Sequence, residues 1–269
     1  MMGVASRKLG DLEAAIRYYE DAISYEPDFA AAKLNMLRAK KDAVPAWHVP
    51  MINDRVRNKL FSEAIGRAVN QDDYVLEIGT GSGILSMIAA STGAEMVVSC
   101  ESSKTISRGA QKVISDNGMS DKISVVSKNS KDLVIGVDLS RKADVLISEI
   151  LSAEFVGEGV LSTILDAKQR LLVSGGRMVP QSGEIKIALL GSSPDIDENL
   201  FSGISQGFDL SAFNSITPDK VSLHLTKEPL LLSEAKTAFS INLVLIISVS
   251  LLIDRVFRPV VHAGIIKFW

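Results

Sequence analysis

The sequence predicts an α/β fold, a parallel sheet wrapped by helices, and three observations carry that reading. From about residue 72, short apolar runs that read as strands alternate with segments of helical spacing. The first run, "YVLEIG", leads directly into Gly79, Gly81 and Gly83 and then into the helical "ILSMIAA". A carboxylate, Glu101, closes the second run, "EMVVSCE". Strands that alternate with helices of this length imply parallel pairing, because a crossover must carry the chain back to the same end of the sheet.

Composition sets the outer limits. The 269 residues, 46% apolar and 23% charged, suit a globular chain of one large domain or two modest ones. A net charge of −3 argues against a dedicated nucleic-acid binder, which usually carries a basic surplus. The single cysteine, Cys100, leaves no intrachain disulfide, and with three histidines no metal site is expected. The opening residues, "MMGVASRKLGDLEAA", lack the apolar core of a signal peptide, so a cytoplasmic or nuclear location is expected.

Taken in order, the chain divides into a helical segment over 1–42, an α/β domain over 43–190 and a β-rich segment over 191–269. In residues 9–32, Leu12, Ala15, Ile16 and Tyr19 make an apolar stripe that Ala22, Ile23 and Tyr25 extend. Pro27 ends that helix, since the residue before proline is pushed out of helical geometry. The pattern "LGD…A…YYEDAISYEPDFAAA" resembles a tetratricopeptide repeat, a paired-helix unit of about 34 residues that needs neighbours to bury its face. That resemblance implies a protein partner; an ordinary helical hairpin is the alternative.

Within the α/β domain, "YVLEIG", "EMVVSCE", "ISVVSK" and "ADVLISE" read as strands. "GILSMIAASTG", "KTISRGAQKVISDNG" and "VLSTILDAKQRLLVSGG" read as helices. "RMVPQSGEIKIALLG" follows as a strand pair interrupted by Pro180. Beyond residue 200, "VSLHLT" and "SINLVLIISV" lean toward strands. The run "TAFSINLVLIISVSLLI", uncharged between Lys236 and Asp254, fits buried strands or a membrane helix near the lower length limit of about 17 residues. Buried strands are the expectation.

The glycines carry the first chemical signal. After a strand and before a helix, they permit a tight turn and a close backbone approach to a ligand. The third comes one residue too early for the dinucleotide pattern G-x-G-x-x-G, which weakens a nicotinamide reading. A carboxylate at the end of the next strand can accept hydrogen bonds from two ribose hydroxyls. Gly-x-Gly-x-Gly followed by Glu101 resembles the class I S-adenosylmethionine-dependent methyltransferases. That resemblance implies S-adenosyl-L-methionine as cofactor, with Glu77 near its methionine end.

The stretch "VLISEILSAEFVGEG" then brings Glu149 to the end of a strand and returns Glu158 after a turn. Two converging carboxylates suit a guanidinium, a planar cation that presents its N–H donors as a rigid fork. Here the sequence resembles the protein arginine N-methyltransferases, closest to their type 7 and type 9 branch. "SEILSAEFVGEG" matches the family's double-glutamate hairpin, with Glu149 and Glu158 in its two catalytic positions. "WHVPMINDRVRNKLFSEAI" is similar to its N-terminal helix signature, with His48, Met51, Asp54 and Arg57 three apart and near one helical face. The resemblance implies that Met51 packs on the cofactor, Arg57 binds its carboxylate and Asp54 supports the active-site network. His48 reads as a packing residue and Glu154 as loop surface.

The same resemblance implies a β-barrel longer than residues 191–269, with a Thr-His-Trp loop that "HAGIIKFW" does not supply. The expected activity is methyl transfer to arginine in proteins. A catalytically inactive cofactor-binding scaffold and a small-molecule methyltransferase are the alternatives.

Overall fold

A computed structural model describes residues 1–151, 159–189, 191, 203–216, 231–245 and 265–266. Met1–Ser182, joined by a short stretch that starts at Asn242, forms one compact unit, and a second begins at Gly183.

Three helices open the first unit: α1 (Met2–Lys8), α2 (Leu12–Tyr25) and α3 (Ala30–Ala43). The Asp11 carboxylate accepts from the Ala14 N–H at 2.9 Å and so satisfies a donor that the first turn of α2 leaves open. Ala15, Tyr19 and Ala39 form the small core between α2 and α3. Gly3 lets α1 lie on the Tyr19 ring; a Cβ there would come within 2.6 Å of it. The expected stripe stops short of its end, for Tyr25 is 95% exposed. It is the last residue of α2, where the chain turns toward Pro27 and no facing helix covers it.

The short α4 (His48–Ile52) and the longer α5 (Arg55–Ala68) lead into the sheet. Five parallel strands follow: β1 (Tyr74–Ile78), β2 (Met96–Cys100), β3 (Ile123–Val126), β4 (Ala143–Ser148) and β5 (Leu172–Val179). Between them run α6 (Ile84–Thr92), α7 (Lys104–Asp116) and α8 (Val160–Arg170). The strand order is β3-β2-β1-β4-β5. Every residue of β1 is buried, as a central parallel strand covered on both faces requires. Ile65 of α5, Leu85 of α6 and Ile114 of α7 close over Val75, Val97 and Ile147 in the main core.

One expected helix is shorter than its apolar pattern. α8 ends at Arg170, and "LVSGGRMV" is strand β5. Pairing with β4 decides this, because Met178 and Val179 sit opposite Leu146 and Ile147. The register slips between Ala143 and Val145 on β4, whose partners are Leu172 and Arg177, and Gly175 and Gly176 lie inside that irregularity.

In the second unit, β6 (Ser182–Ile187) lies between β9 (Lys236–Asn242) and β10 (Ile265–Ile266) in a three-stranded sheet. Glu184 accepts from Thr237 at 3.2 Å across it. A two-residue turn, Gln206-Gly207, joins β7 (Ile204–Ser205) to β8 (Phe208–Asp209). The described part of the uncharged run is therefore strand β9 and the turn after it. "VSLHLT" and residues 246–264 lie outside the described residues. Among the described residues no helix is long and apolar enough to cross a membrane.

Candidate functional site

β1 lies between β2 and β4, and the connections leave it in opposite directions. Such a switch point opens a crevice beyond the carboxyl ends of the strands, the usual ligand position in open α/β sheets. A cavity of about 430 Å³ lies there. Its floor is the turn after β1, and its rim comes from the ends of β2 and β4, from residues 128–130 after β3, and from α4 and α5. Asp42 and Ala43, at the end of α3, complete one wall.

The turn is tied to the neighbouring strand, since the Gly79 and Thr80 N–H groups donate to the Cys100 carbonyl at 3.0 and 3.2 Å. Gly79 has φ +90°, and a Cβ there would stand 2.6 Å from Ile150 Cγ2. Gly79→Ala is therefore expected to cost about 1–3 kcal/mol through left-handed backbone strain and that clash. Urea unfolding of the variant checks this; an unchanged midpoint would contradict it. At Gly81 a Cβ would meet no atom within 4 Å, so this backbone is open to close approach by a ligand. Gly83 lies outside the cavity lining and caps α6 in left-handed geometry.

Glu101, on the rim at the end of β2, accepts from the Gly81 N–H at 3.3 Å and the Ser103 N–H at 2.9 Å. Across the cavity the Arg57 guanidinium donates to Glu149 Oε2 at 2.5 Å. Both side chains are 8% exposed. Arg57 also lies over the Phe61 ring, 5.1 Å from its centroid, and its Nε is buried with no partner. Cys100 lines the wall as a neutral thiol, pushed up to about 12 by burial.

Glu77 is the unusual group. It is the penultimate residue of β1, 0% exposed, between the apolar Leu76 and Ile78. Ser86 and Ser99 donate to Oε2, the latter at 2.9 Å, and Thr80 Oγ1 lies 2.6 Å from Ser99 Oγ. Ser99 has one hydrogen and spends it on Glu77, so Thr80 donates to Ser99. Oε1 is buried with no partner. Burial pushes the carboxyl up to about 7; the two serines work against that shift and Glu101 adds to it.

Between the ordinary value of 4.5 and about 7, the folded chain holds a proton that the unfolded chain has released. Stability is expected to fall by ~3 kcal/mol as pH rises through that window and to level off above it. Glu77→Gln resembles the neutral acid, so it should remove this slope and exceed the wild type in stability at pH 8. Denaturant unfolding at pH 5 and pH 8 checks both chains; parallel curves would refute the assignment.

Residues 59–187 match the family model described as ribosomal protein L11 methyltransferase. An arginine N(omega)-methyltransferase of Streptomyces achromogenes subsp. streptozoticus is 38% identical over 173 residues, 64% of this chain and 48% of that protein. Protein arginine N-methyltransferase 9 of Xenopus laevis is 31% identical over 216 residues, 76% of this chain and 26% of that protein. The chain thus spans less than half the length of these curated relatives. Among solved structures, the PRMT1 enzyme–prozyme complex of Trypanosoma brucei superposes with a TM-score of 0.62 at 24% identity, over 76% of this chain and 63% of that one. Protein arginine methyltransferase 10 of Arabidopsis thaliana gives 0.58 at 20% identity, over 78% and 65%. The sheet and its helices have the class I methyltransferase fold, and the chain is similar to the arginine methyltransferases.

In this domain, Met51, Arg57, Glu77, Gly79, Gly81, Glu101 and Glu149 line one cavity. Glu158 and Glu154 lie outside the described residues. The expected single helical face from His48 to Arg57 is broken: α4 stops at Ile52, and Asp54 caps α5 by accepting from the Arg57 N–H at 2.9 Å. Asp54 is exposed and outside the cavity lining, while the cap sets the direction in which Arg57 enters it. His48 is buried against Trp47, with ring centroids 3.9 Å apart, and lines the cavity as well.

Sequence reading missed Asp42, Lys128 and Asn129 on the wall and Ser86 and Ser99 behind Glu77. The first three carry no pattern that marks them. The serines had one signal, a carboxylate inside an apolar strand, which must find donors somewhere.

Proposed function

We propose that this chain transfers a methyl group from S-adenosyl-L-methionine to a guanidino nitrogen of arginine in proteins. The observation that carries the reading is the convergence of Arg57, Glu77, Glu101 and Glu149 on one cavity at the sheet's switch point. The names of the curated relatives support it. The cavity suits the cofactor: it offers an open backbone at Gly81 and unpartnered buried atoms on Glu77 and Arg57 for a charged ligand to satisfy.

When bound, the cofactor supplies an electrophilic methyl group on a sulfonium. Arg57 binds a carboxylate, Glu77 faces the methionine end, Glu101 takes the ribose hydroxyls and Met51 packs against the ligand. Gly79, Gly81 and Gly83 shape the turn that cradles it. Glu149 and Glu158 hold the substrate guanidinium, localise its charge and leave one nitrogen free to attack; rate comes from this positioning and electrostatic fit.

The domain reading is 1–42, 43–190 and 191–269. The N-terminal helices serve as a tetratricopeptide-like platform for a protein partner, and the small sheet starts a barrel-like substrate domain. The setting is cytoplasmic or nuclear. Incubation with methyl-labelled S-adenosylmethionine and arginine-rich proteins, followed by acid hydrolysis, tests the reaction. Label in methylated arginine is expected. Cofactor binding with no labelled arginine would leave an inactive scaffold as the reading, and label in metabolites alone a small-molecule enzyme.

A further inference from the structure

Among the described residues the Glu77 carboxyl is bonded to two serines and to no cation, and its Oε1 is without a partner. Its neighbours account for both. On β2 it faces Ser99, the neutral Cys100 thiol and the Glu101 carboxylate; α6 offers only the Ser86 hydroxyl. On the β4 side Ile147 lies opposite, and Glu149 beyond it is bonded to Arg57 of α5. Lys128 on the rim is bonded to Asp138, and Asp42 on the wall to Arg7. His48 lines the same cavity from α4. Among the described residues, Arg57 and Lys128 of the cavity lining are each bonded to a carboxylate, and the charge that acts on Glu77 is the Glu101 carboxylate.

Both serine bonds end on Oε2, as they would on the carbonyl oxygen of a protonated acid. Oε1 is then the hydroxyl, buried and without an acceptor. A ligand that brings positive charge to this oxygen favours the ionised form, because burial without a cation is what disfavours it.

We infer that a cationic ligand entering this cavity drives a proton off Glu77 Oε1 into solvent, so that S-adenosylmethionine binding is coupled to release of one proton. The inference rests on the cofactor reading above and adds a regulatory property to it. In the O–H bond that breaks, the electron pair stays on Oε1, and the buffer takes the proton. The rise of Glu77 to about 7 places the coupling within the working pH range. Affinity rises with pH below that point and levels off above it.

Calorimetric titration of the intact chain with S-adenosylmethionine, in two buffers of different ionisation enthalpy, counts the protons. Release of about one proton is expected at pH 6 and almost none at pH 8.5, with affinity roughly tenfold weaker at pH 6 than at pH 8. Glu77→Gln should bind with no such pH dependence. Binding to the wild type without proton release would overturn the coupling while sparing the cofactor reading. A pH dependence that persists in Glu77→Gln would also overturn it and assign the proton to another group. No binding at any pH would overturn both. The proton count on the wild type decides the matter even where the variant fails to fold.

Discussion

Glu149→Gln is expected to lower methyl transfer to arginine by about 10³-fold, the scale of removing one preorganised electrostatic partner. The substitution keeps size and polarity but removes the negative charge that would localise the substrate guanidinium. It also leaves the buried Arg57 cation facing an amide where it faced a carboxylate 2.5 Å away. Cofactor affinity should stay within about threefold, because the groups assigned to the ribose and the methionine end remain. Single-turnover transfer and a separate binding titration make the distinction. A variant with wild-type turnover would remove Glu149 from catalysis. One that loses cofactor affinity and activity together would move it to the cofactor side of the cavity.

Arg57→Ala should be the most damaging substitution to both folding and binding. Arg57 and Glu149 are each 8% exposed, and Arg57→Ala removes the cation that is bonded to the buried Glu149 carboxylate. A loss of about 3–5 kcal/mol in unfolding free energy is expected, with S-adenosylmethionine binding falling below detection. Arg57→Lys keeps the charge but loses the planar fork and the face laid over Phe61, so it should recover part of the stability and little of the affinity. Chemical denaturation and a binding titration read the two effects separately. Equal stability of Arg57→Ala and the wild type would mean that the pair contributes nothing to the fold.

These expectations depend on geometry that the sequence disclosed unevenly. The parallel sheet was readable because "YVLEIG", "EMVVSCE" and "ADVLISE" are short, apolar and separated by helices of crossover length. The glycines marked the turn after β1, since few other residues accept that backbone. The extent of α8 was not readable, because Leu171, Leu172 and Val173 continue a helical stripe that only pairing with β4 overrides. The break at Asn53 and Asp54 had a local cue, an aspartate ahead of a helical run, but the regular three-residue spacing hid it. Asp42 and Lys128 reach the cavity from segments far apart in the chain, and nothing in their local sequence records that meeting.

The wall made by Asp42 and Ala43 changes what it means to divide this molecule. A cut before residue 43 looks natural, since helices lie on one side and the α/β pattern on the other. Yet the last turn of α3 borders the candidate cofactor cavity, Arg7 of α1 holds Asp42, and Glu13 of α2 pairs with Arg108 of α7. Excising the α/β portion alone would open the chamber on that side and strip Arg108 of its partner. For this chain the smallest piece worth transplanting is the helices and the sheet together, because the chamber belongs to both.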